Sequence, residues 1–409
     1  MSNLALLGGK PAKTRDFPAW PQYDHREEEA LLEVLHSGVW WRTPGTRTLQ
    51  FEQDFARYQQ TQFGVACTNG TAALEMAVAA LGIGLGDEVI IPDFTFVATA
   101  SAVLAMGAMP VMVDVDPGSY NIDPDLAEKA ITPRTKAIIV VHVAGMPCDM
   151  DRMLEIAKKH KLFLIEDSSH AHGSEWRGKR AGSMGDCGTF SFQASKLMTA
   201  GEGGIVVTNN PDLHVLIRSV HDCGRLPGEW FYAHFKNGSN YRLSEWQGAI
   251  LSQQLSRLDE QAAIRTRNAA YLDRELALIE GIRPQQRDPR VTRNGNYCYI
   301  FHFDPAVFKG LKTEKFIEAL NAEGIPTQAS YPPVRKLAVF QSGEYRKKLL
   351  PEQAAEKHEF LQVAHPVSDD AAENTVWLVH RALLGTEQDA AEIAVAIRKI
   401  QRNVDELLK

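Results

Sequence analysis

A lysine amine becomes a nucleophile when it is held next to an electrophilic carbon and can lose its proton. Lys196 sits inside GTFSFQASKLMTAGEGG, residues 188–204, between a short apolar strand and a glycine-rich turn whose backbone can approach another group closely. Other residues with matching chemistry precede it. Gly70 and Thr71 stand where a strand, GVACTNG, passes into a helix, TAALEMAVAALG, so that free N–H groups and the helix dipole can attract a phosphate. Asp167 closes the apolar strand LFLIED, where a carboxylate either pairs locally or points into a crevice, while Glu166 is turned to the other side by alternation. Ser191 adds a hydroxyl five residues before the lysine, and His170 follows Asp167 by three.

Each signal has an ordinary alternative: Ser191 as a strand serine, His170 as a histidine satisfied within the fold, and Phe96 in FTFVATA as core instead of a stacking partner for a flat ring. The order carries the argument. A phosphate turn, an aromatic, an acid at a strand end and then a lysine 29 residues later form the set that pyridoxal phosphate (PLP) requires. The acid would keep the pyridine nitrogen protonated, and the lysine would form the Schiff base. In VWWRTPGTRT, Trp41 and Arg42 read equally as core plus surface charge or as one wall of a pocket.

The elements that must position these residues alternate. From residue 64, strands such as DEVIIP, PVMVDV and KAIIVVHV take turns with helices of ten to twelve residues, which predicts an α/β fold with a mostly parallel sheet and ligands at the strand carboxyl ends. Asp24 with Glu27 predicts a capped helix stopped by Gly38, and Ser244 with Gln247 predicts the start of a long helix leading out of this domain. Beyond about residue 266 the expected order is a helix, strand YCYIFHF, helix TEKFIEALNAEG, the QASYPPVRK connection, strand VWLVHRALL and a last helix. That helix opens at Thr386 and Asp389 and carries Ile393, Ile397, Ile400 and Val404 on one face. We therefore expect an arm over 1–24, a large α/β domain over 25–265 and a smaller α+β domain over 266–409.

Composition excludes several function classes. The 409 residues are 44% hydrophobic and 23% charged, with a net charge of -7, which leaves no basic footprint for nucleic acid or a membrane surface. No apolar run approaches a membrane span, and no h-region with a cleavage site opens the chain, so a cytoplasmic enzyme is expected. The five cysteines (Cys67, Cys148, Cys187, Cys223 and Cys298) form no CxxC pair and predict neither a disulfide framework nor a metal site.

NGTAAL, PDFTFVATA, EDSSHAHG, SFQASKLMTAGEGG and GSNYRLSEWQGAIL together resemble the sequential blocks of the DegT/DnrJ/EryC1/StrS aminotransferases over nearly the whole chain. The resemblance implies the PLP-dependent transferase fold of type I, with Lys196 as Schiff-base lysine and Asp167 as partner of the pyridine nitrogen. It also implies that His170 contacts the ring hydroxyl, where many members carry glutamine, that Gly70, Thr71 and Ser191 hold the phosphate, and that Asn240 reaches the phosphate of a neighbouring subunit in a homodimer. FPAWPQYD, VWWR and VWLVHRALL resemble the branch holding aminocyclitol aminotransferases and 3-amino-5-hydroxybenzoate synthases, with Trp41, Arg42 and His380 as candidate substrate contacts. An amino group passing from L-glutamine or L-glutamate to a keto cyclitol or keto sugar is the implied reaction. A dehydrating, aromatising synthase and a nucleotide keto-sugar aminotransferase are the alternatives, and a regulator that lost catalysis is disfavoured by the intact lysine and aspartate. Two departures bear on the substrate: Ser168 and Ser169 replace a common Ala-Ala, which would place a hydroxyl beside the ring, and Arg335 stands where many members have histidine.

Overall fold

The structure, a computed structural model, describes residues 2–409. Seven strands form the central sheet in the spatial order Phe63–Cys67, Gly204–Thr208, Cys187–Ser191, Phe163–Asp167, Thr135–Val141, Glu88–Pro92, Met109–Val113. Their interior residues, Ile90, Ile91, Ile138, Ile139 and Ile165 among them, are fully buried, as a sheet covered by helices on both faces requires. Only Gly204–Thr208 runs antiparallel to its neighbours; the other pairings are parallel. The reason is local. The chain returns from Ser191 to Gly204, its register partner, through the lysine loop with no crossover helix, and a direct return gives an antiparallel pair. That loop consequently emerges at the same sheet end as Asp167.

The C-terminal part holds a four-stranded antiparallel sheet, Ile282–Pro284, Cys298–Phe303, Thr375–Val379 and Thr327–Ala329 in spatial order, packed against helices Thr313–Ala322 and Glu387–Arg402. Ile393, Ile397, Ile400 and Val404 all enter its core. The capping boxes at Asp24–Glu27, Ser244–Gln247 and Thr386–Asp389 form as the sequence predicts.

Several expectations are corrected. The helix opening at Ser244 is unbroken over Glu245–Leu276 and passes through the expected boundary at 265. Leu251 and Leu258 pack with Phe192 and Leu197, while Ala269, Leu272 and Leu276 pack with Phe301 and Phe316. No separate helix starts at 266. Residues from Val334 to Leu349 do not stay with the C-terminal sheet either, since Val334, Phe340, Tyr345 and Leu349 join the cluster around Leu74 and Val103. The strand expected over VWLVHRALL ends at Val379, and His380–Leu384 turn as a short 3₁₀ helix. Helices Arg47–Tyr58 and Pro211–His221 had no counterpart in the sequence reading. The arm, apart from Met1, which lies outside the described residues, lies on its own C-terminal region: Leu4 and Phe17 are buried there, and Lys13 bonds Asp389 and Glu392 at 2.5 and 2.9 Å. Among the described residues no helix is long and apolar enough to cross a membrane.

Candidate active site

A cavity of about 670 Å³ opens at the carboxyl end of the sheet and is lined by Gly70, Thr71, Phe96, Asp167, His170, Ser191 and Lys196. Residues from separate stretches of the sequence meet there because parallel strands deliver their C-terminal residues to one edge.

At one end lies the first turn of helix Gly70–Ala80. Asn69 caps it by accepting from the Ala72 N–H at 2.8 Å, and the N–H groups of Gly70 and Thr71, which have no intrahelical partner, face the cavity wall. Gly70 is required by space: a Cβ there would lie 2.7 Å from Cβ of Ser191, so the absence of a side chain brings the Ser191 hydroxyl against this turn. Gly204 is required for the same reason, because its Cβ would meet the Asn69 carbonyl oxygen at 2.3 Å.

Asp167 and Glu166 end one strand and face opposite ways. Glu166 is fully buried and accepts from the backbone N–H groups of Gly182, Met184 and Gly185 at 2.7, 2.7 and 2.6 Å, with His142 Nε2 at 3.1 Å. Among the described residues Asp167 accepts only from Thr99 Oγ1 at 3.3 Å and the Ser169 N–H at 3.1 Å, and it lines the cavity.

His170 stacks on Tyr297 with ring centroids 4.0 Å apart and 16° between planes. Its Nδ1 accepts from the Ala144 N–H at 3.3 Å, and its Nε2 lies 3.3 Å from the Tyr331 hydroxyl. Burial, with the Lys196 charge adding to it, pushes the imidazole well below its ordinary range, so it is neutral and carries its proton on Nε2, toward the cavity. Burial also pushes Lys196 down to about 8, against the opposing pull of Asp167. The ammonium form is kept in reach by the Tyr297 ring, whose centroid is 4.6 Å from Nζ.

The lysine loop is fastened from three sides. Trp20 of the arm donates from Nε1 to the Ala194 carbonyl at 2.9 Å, His380 Nε2 contacts the Ser195 carbonyl at 3.1 Å, and the Tyr297 hydroxyl is 3.0 Å from Ser195 Oγ. Beneath it, His172 Nε2 contacts the Ser191 carbonyl at 3.0 Å.

Phe96 is 54% exposed on the cavity rim, whereas its neighbour Phe94 is core. Other residues from the sequence reading lie elsewhere. Arg42 does not wall the cavity, because its guanidinium is held by Glu52 at 2.6 and 3.2 Å. Trp41 is half-exposed beside Arg242. Asn240 is exposed, with Oδ1 accepting from the Arg242 N–H at 3.4 Å, and does not line its own chain's cavity. His380 sits behind Ser195, in an adjoining cavity. Ser169 lines the main cavity, but Ser168 faces Gly182, so only one of the two hydroxyls stands where a ring would lie. Arg335 is buried in ion pairs with Asp93 at 2.6 Å and Asp369 at 2.7 Å. Sequence reading missed Tyr297 and Tyr331, which also line the cavity; an aromatic in a strand or connection carries no local mark that separates it from core.

These residues fit PLP: a helix N-terminus and a hydroxyl for the phosphate, an under-bonded carboxylate for the pyridine nitrogen, a neutral Nε2–H donor and an amine of lowered basicity. Comparison with known proteins agrees. The pattern of the DegT/DnrJ/EryC1/StrS aminotransferase family matches residues 21–397. L-glutamine:2-deoxy-scyllo-inosose aminotransferase of Streptoalloteichus tenebrarius is 38% identical over 420 residues, covering 99% of each chain. The 3-amino-5-hydroxybenzoate synthase of Amycolatopsis mediterranei is 39% identical over 382 residues, covering 92% of this chain and 95% of its own. A crystal structure of 3-amino-5-hydroxybenzoic acid synthase superimposes with a TM-score of 0.88 at 38% identity, over 96% of this chain and 100% of that one. With its cavity and its full-length relatives in accord, the chain belongs to the DegT/DnrJ/EryC1/StrS aminotransferase family and is a PLP-dependent aminotransferase of fold type I.

Proposed function

We propose that this enzyme moves the amino group of L-glutamine to a keto cyclitol, in a pathway of the aminoglycoside type. The observation that carries this reading is the end-to-end similarity to L-glutamine:2-deoxy-scyllo-inosose aminotransferase.

In this reading Lys196 would hold the cofactor through Nζ, Gly70, Thr71 and Ser191 would take its phosphate, Phe96 would lie against its ring and His170 would donate to the ring hydroxyl. Asp167 would keep the pyridine nitrogen protonated. Bound PLP supplies the electron sink for the carbon that loses its proton. Lys196 would be the base that holds and moves that proton, and an amine held near 8 has a useful neutral fraction at neutral pH. Asn240 would complete the partner subunit's phosphate site in a homodimer; its exposure outside its own chain's cavity supports this, as does the exposure of Trp230, Phe231 and Tyr232 in the same connection. The buried free thiols of Cys67, Cys148, Cys187 and Cys298 favour a reducing cytoplasm.

The alternative reading is an aromatising synthase acting on an amino-ketocyclohexene acid, since the synthase structure shares the fold with a TM-score of 0.88. A product screen by mass spectrometry separates the two. Holoenzyme with L-glutamine or L-glutamate is given keto-inositols, nucleotide keto sugars and aminoshikimate-type acids. An aminocyclitol product supports the first reading, and an aromatic amino acid product replaces it.

A further inference from the structure

A second cavity of about 250 Å³ adjoins the first and shares Ser195, Tyr297 and Gln328 with it; its other walls include Trp20, His380 and Arg381. It is a built site. Trp20 and His380 meet edge to face at 4.4 Å, and both are bonded to the loop immediately before Lys196. Among the described residues no carboxylate lines it. Arg381 is half-buried on this wall, and among the described residues it has no acidic or carbonyl partner, in contrast to Arg42, Arg335 and Arg290, which are all ion-paired.

The charges acting on His380 here are positive. After burial, the charges of Arg265, Arg381 and Lys196 all work to hold His380 neutral, down to about 3. Arg265 is itself fully buried with Nη1 and Nη2 unpartnered. A guanidinium with free donors beside a partly desolvated cavity is arranged to receive a carboxylate, which it can grip through two parallel hydrogen bonds.

We propose that Arg381 receives the carboxylate of the amino-acid donor, the adjoining cavity being the donor's subsite. This deepens the reading of the enzyme as an L-glutamine-dependent aminotransferase and rests on it. L-Glutamine has one carboxylate, attached to the carbon whose amine must come to the cofactor at Lys196, and the cavity shared through Ser195 and Tyr297 lies next to that point. A keto cyclitol carries no carboxylate. Arg381 therefore discriminates between the two substrates that use the main cavity in turn.

The test compares binding with and without the carboxylate. Glutaramate, which is L-glutamine without its reacting amine, is titrated calorimetrically into the holoenzyme, and L-glutamine and L-glutaminamide are titrated while the cofactor spectrum is followed. Wild type should bind L-glutamine at least ~10-fold more tightly than L-glutaminamide, as expected for a charge-assisted pair. Arg381→Gln should weaken glutaramate and L-glutamine by ~10–100-fold, Arg381→Lys should weaken them less, and neither should change L-glutaminamide. Amination of cofactor by an aminocyclitol product should be unchanged in both variants. Equal wild-type affinity for L-glutamine and L-glutaminamide overturns the assignment, whatever the variants do. So does undiminished glutaramate binding in a folded Arg381→Gln protein. If no amino acid converts the cofactor in wild type at all, it is the aminotransferase reading itself that falls.

Discussion

Glu166 and Asp167 are consecutive carboxylates on one strand, and their surroundings could hardly differ more. Glu166, on the closed face, has every lone pair engaged by three backbone N–H groups and His142. Asp167, on the open face, has two long bonds and a cavity in front of it. A saturated buried carboxylate is a structural bolt whose loss strands four donors, whereas an under-bonded one has capacity left for a ligand. The contrast teaches which acid to assign to chemistry without any appeal to residue type.

The largest effect expected from this contrast is on the open face. Asp167→Asn should leave the fold and cofactor binding in place and lower kcat by ~10²–10⁴, since an amide cannot keep the pyridine nitrogen protonated and each 1.36 kcal/mol of barrier is tenfold in rate. Steady-state kinetics with circular dichroism checks this, and near-normal turnover would erase the functional half of the comparison.

In the proposed homodimer the open face is also the one that a second subunit would complete. Asn240→Ala and Lys196→Ala should each be nearly inactive as homodimers. Subunit exchange between them should restore up to about a quarter of wild-type activity, because half the dimers are mixed and one of their two sites receives neither defect. Exchange is verified by native mass spectrometry. No rescue despite exchange would leave the open face closed off within one chain.

On the closed face the effect should be on stability. Glu166→Gln retains the shape but loses the charge that holds three N–H groups, and should lower unfolding free energy by about 2–3 kcal/mol in denaturant titrations while leaving kcat of the folded protein within about threefold. A variant as stable as wild type but inactive would invert the comparison.

The smallest effect concerns Lys196 in the cofactor-free protein. Its basicity is depressed from 10.5 to about 8, so the folded state binds fewer protons than the unfolded state between those values and stability rises with pH across that window. Lys196→Met should therefore stabilise the apoprotein by about 1–2 kcal/mol below pH 8, allowing for the partial exposure of the side chain, and the gain should fade toward pH 10.5. Thermal melts of both apoproteins over that range read it directly.

What was legible in the sequence was local. Strand-to-helix turns, capping residues and glycines announce themselves within a few positions, and the cavity is built from such turns, so Gly70, Thr71, Asp167, His170, Ser191 and Lys196 were found and do meet. What was missed depends on long-range choices. Arg42 resembles a pocket wall until Glu52, from the helix Arg47–Tyr58 that the sequence reading did not include, takes its guanidinium. The strand that should have continued through His380 stops at Val379, where its sheet partner Cys298 begins. Tyr297 has no motif of its own, and only long-range contacts, its stacking on His170 and its approach to Lys196 and Ser195, give it a place in the site. The helix across residue 265 was cut short because its two ends serve different cores, although no residue within it breaks it.

The account stands or falls on Lys196 as the residue that carries the cofactor. Borohydride reduction of the holoenzyme followed by peptide mapping tests this most directly. The account predicts a single phosphopyridoxyl group on the peptide containing Lys196 and none in Lys196→Ala. The modification on any other lysine of the wild-type enzyme would contradict it.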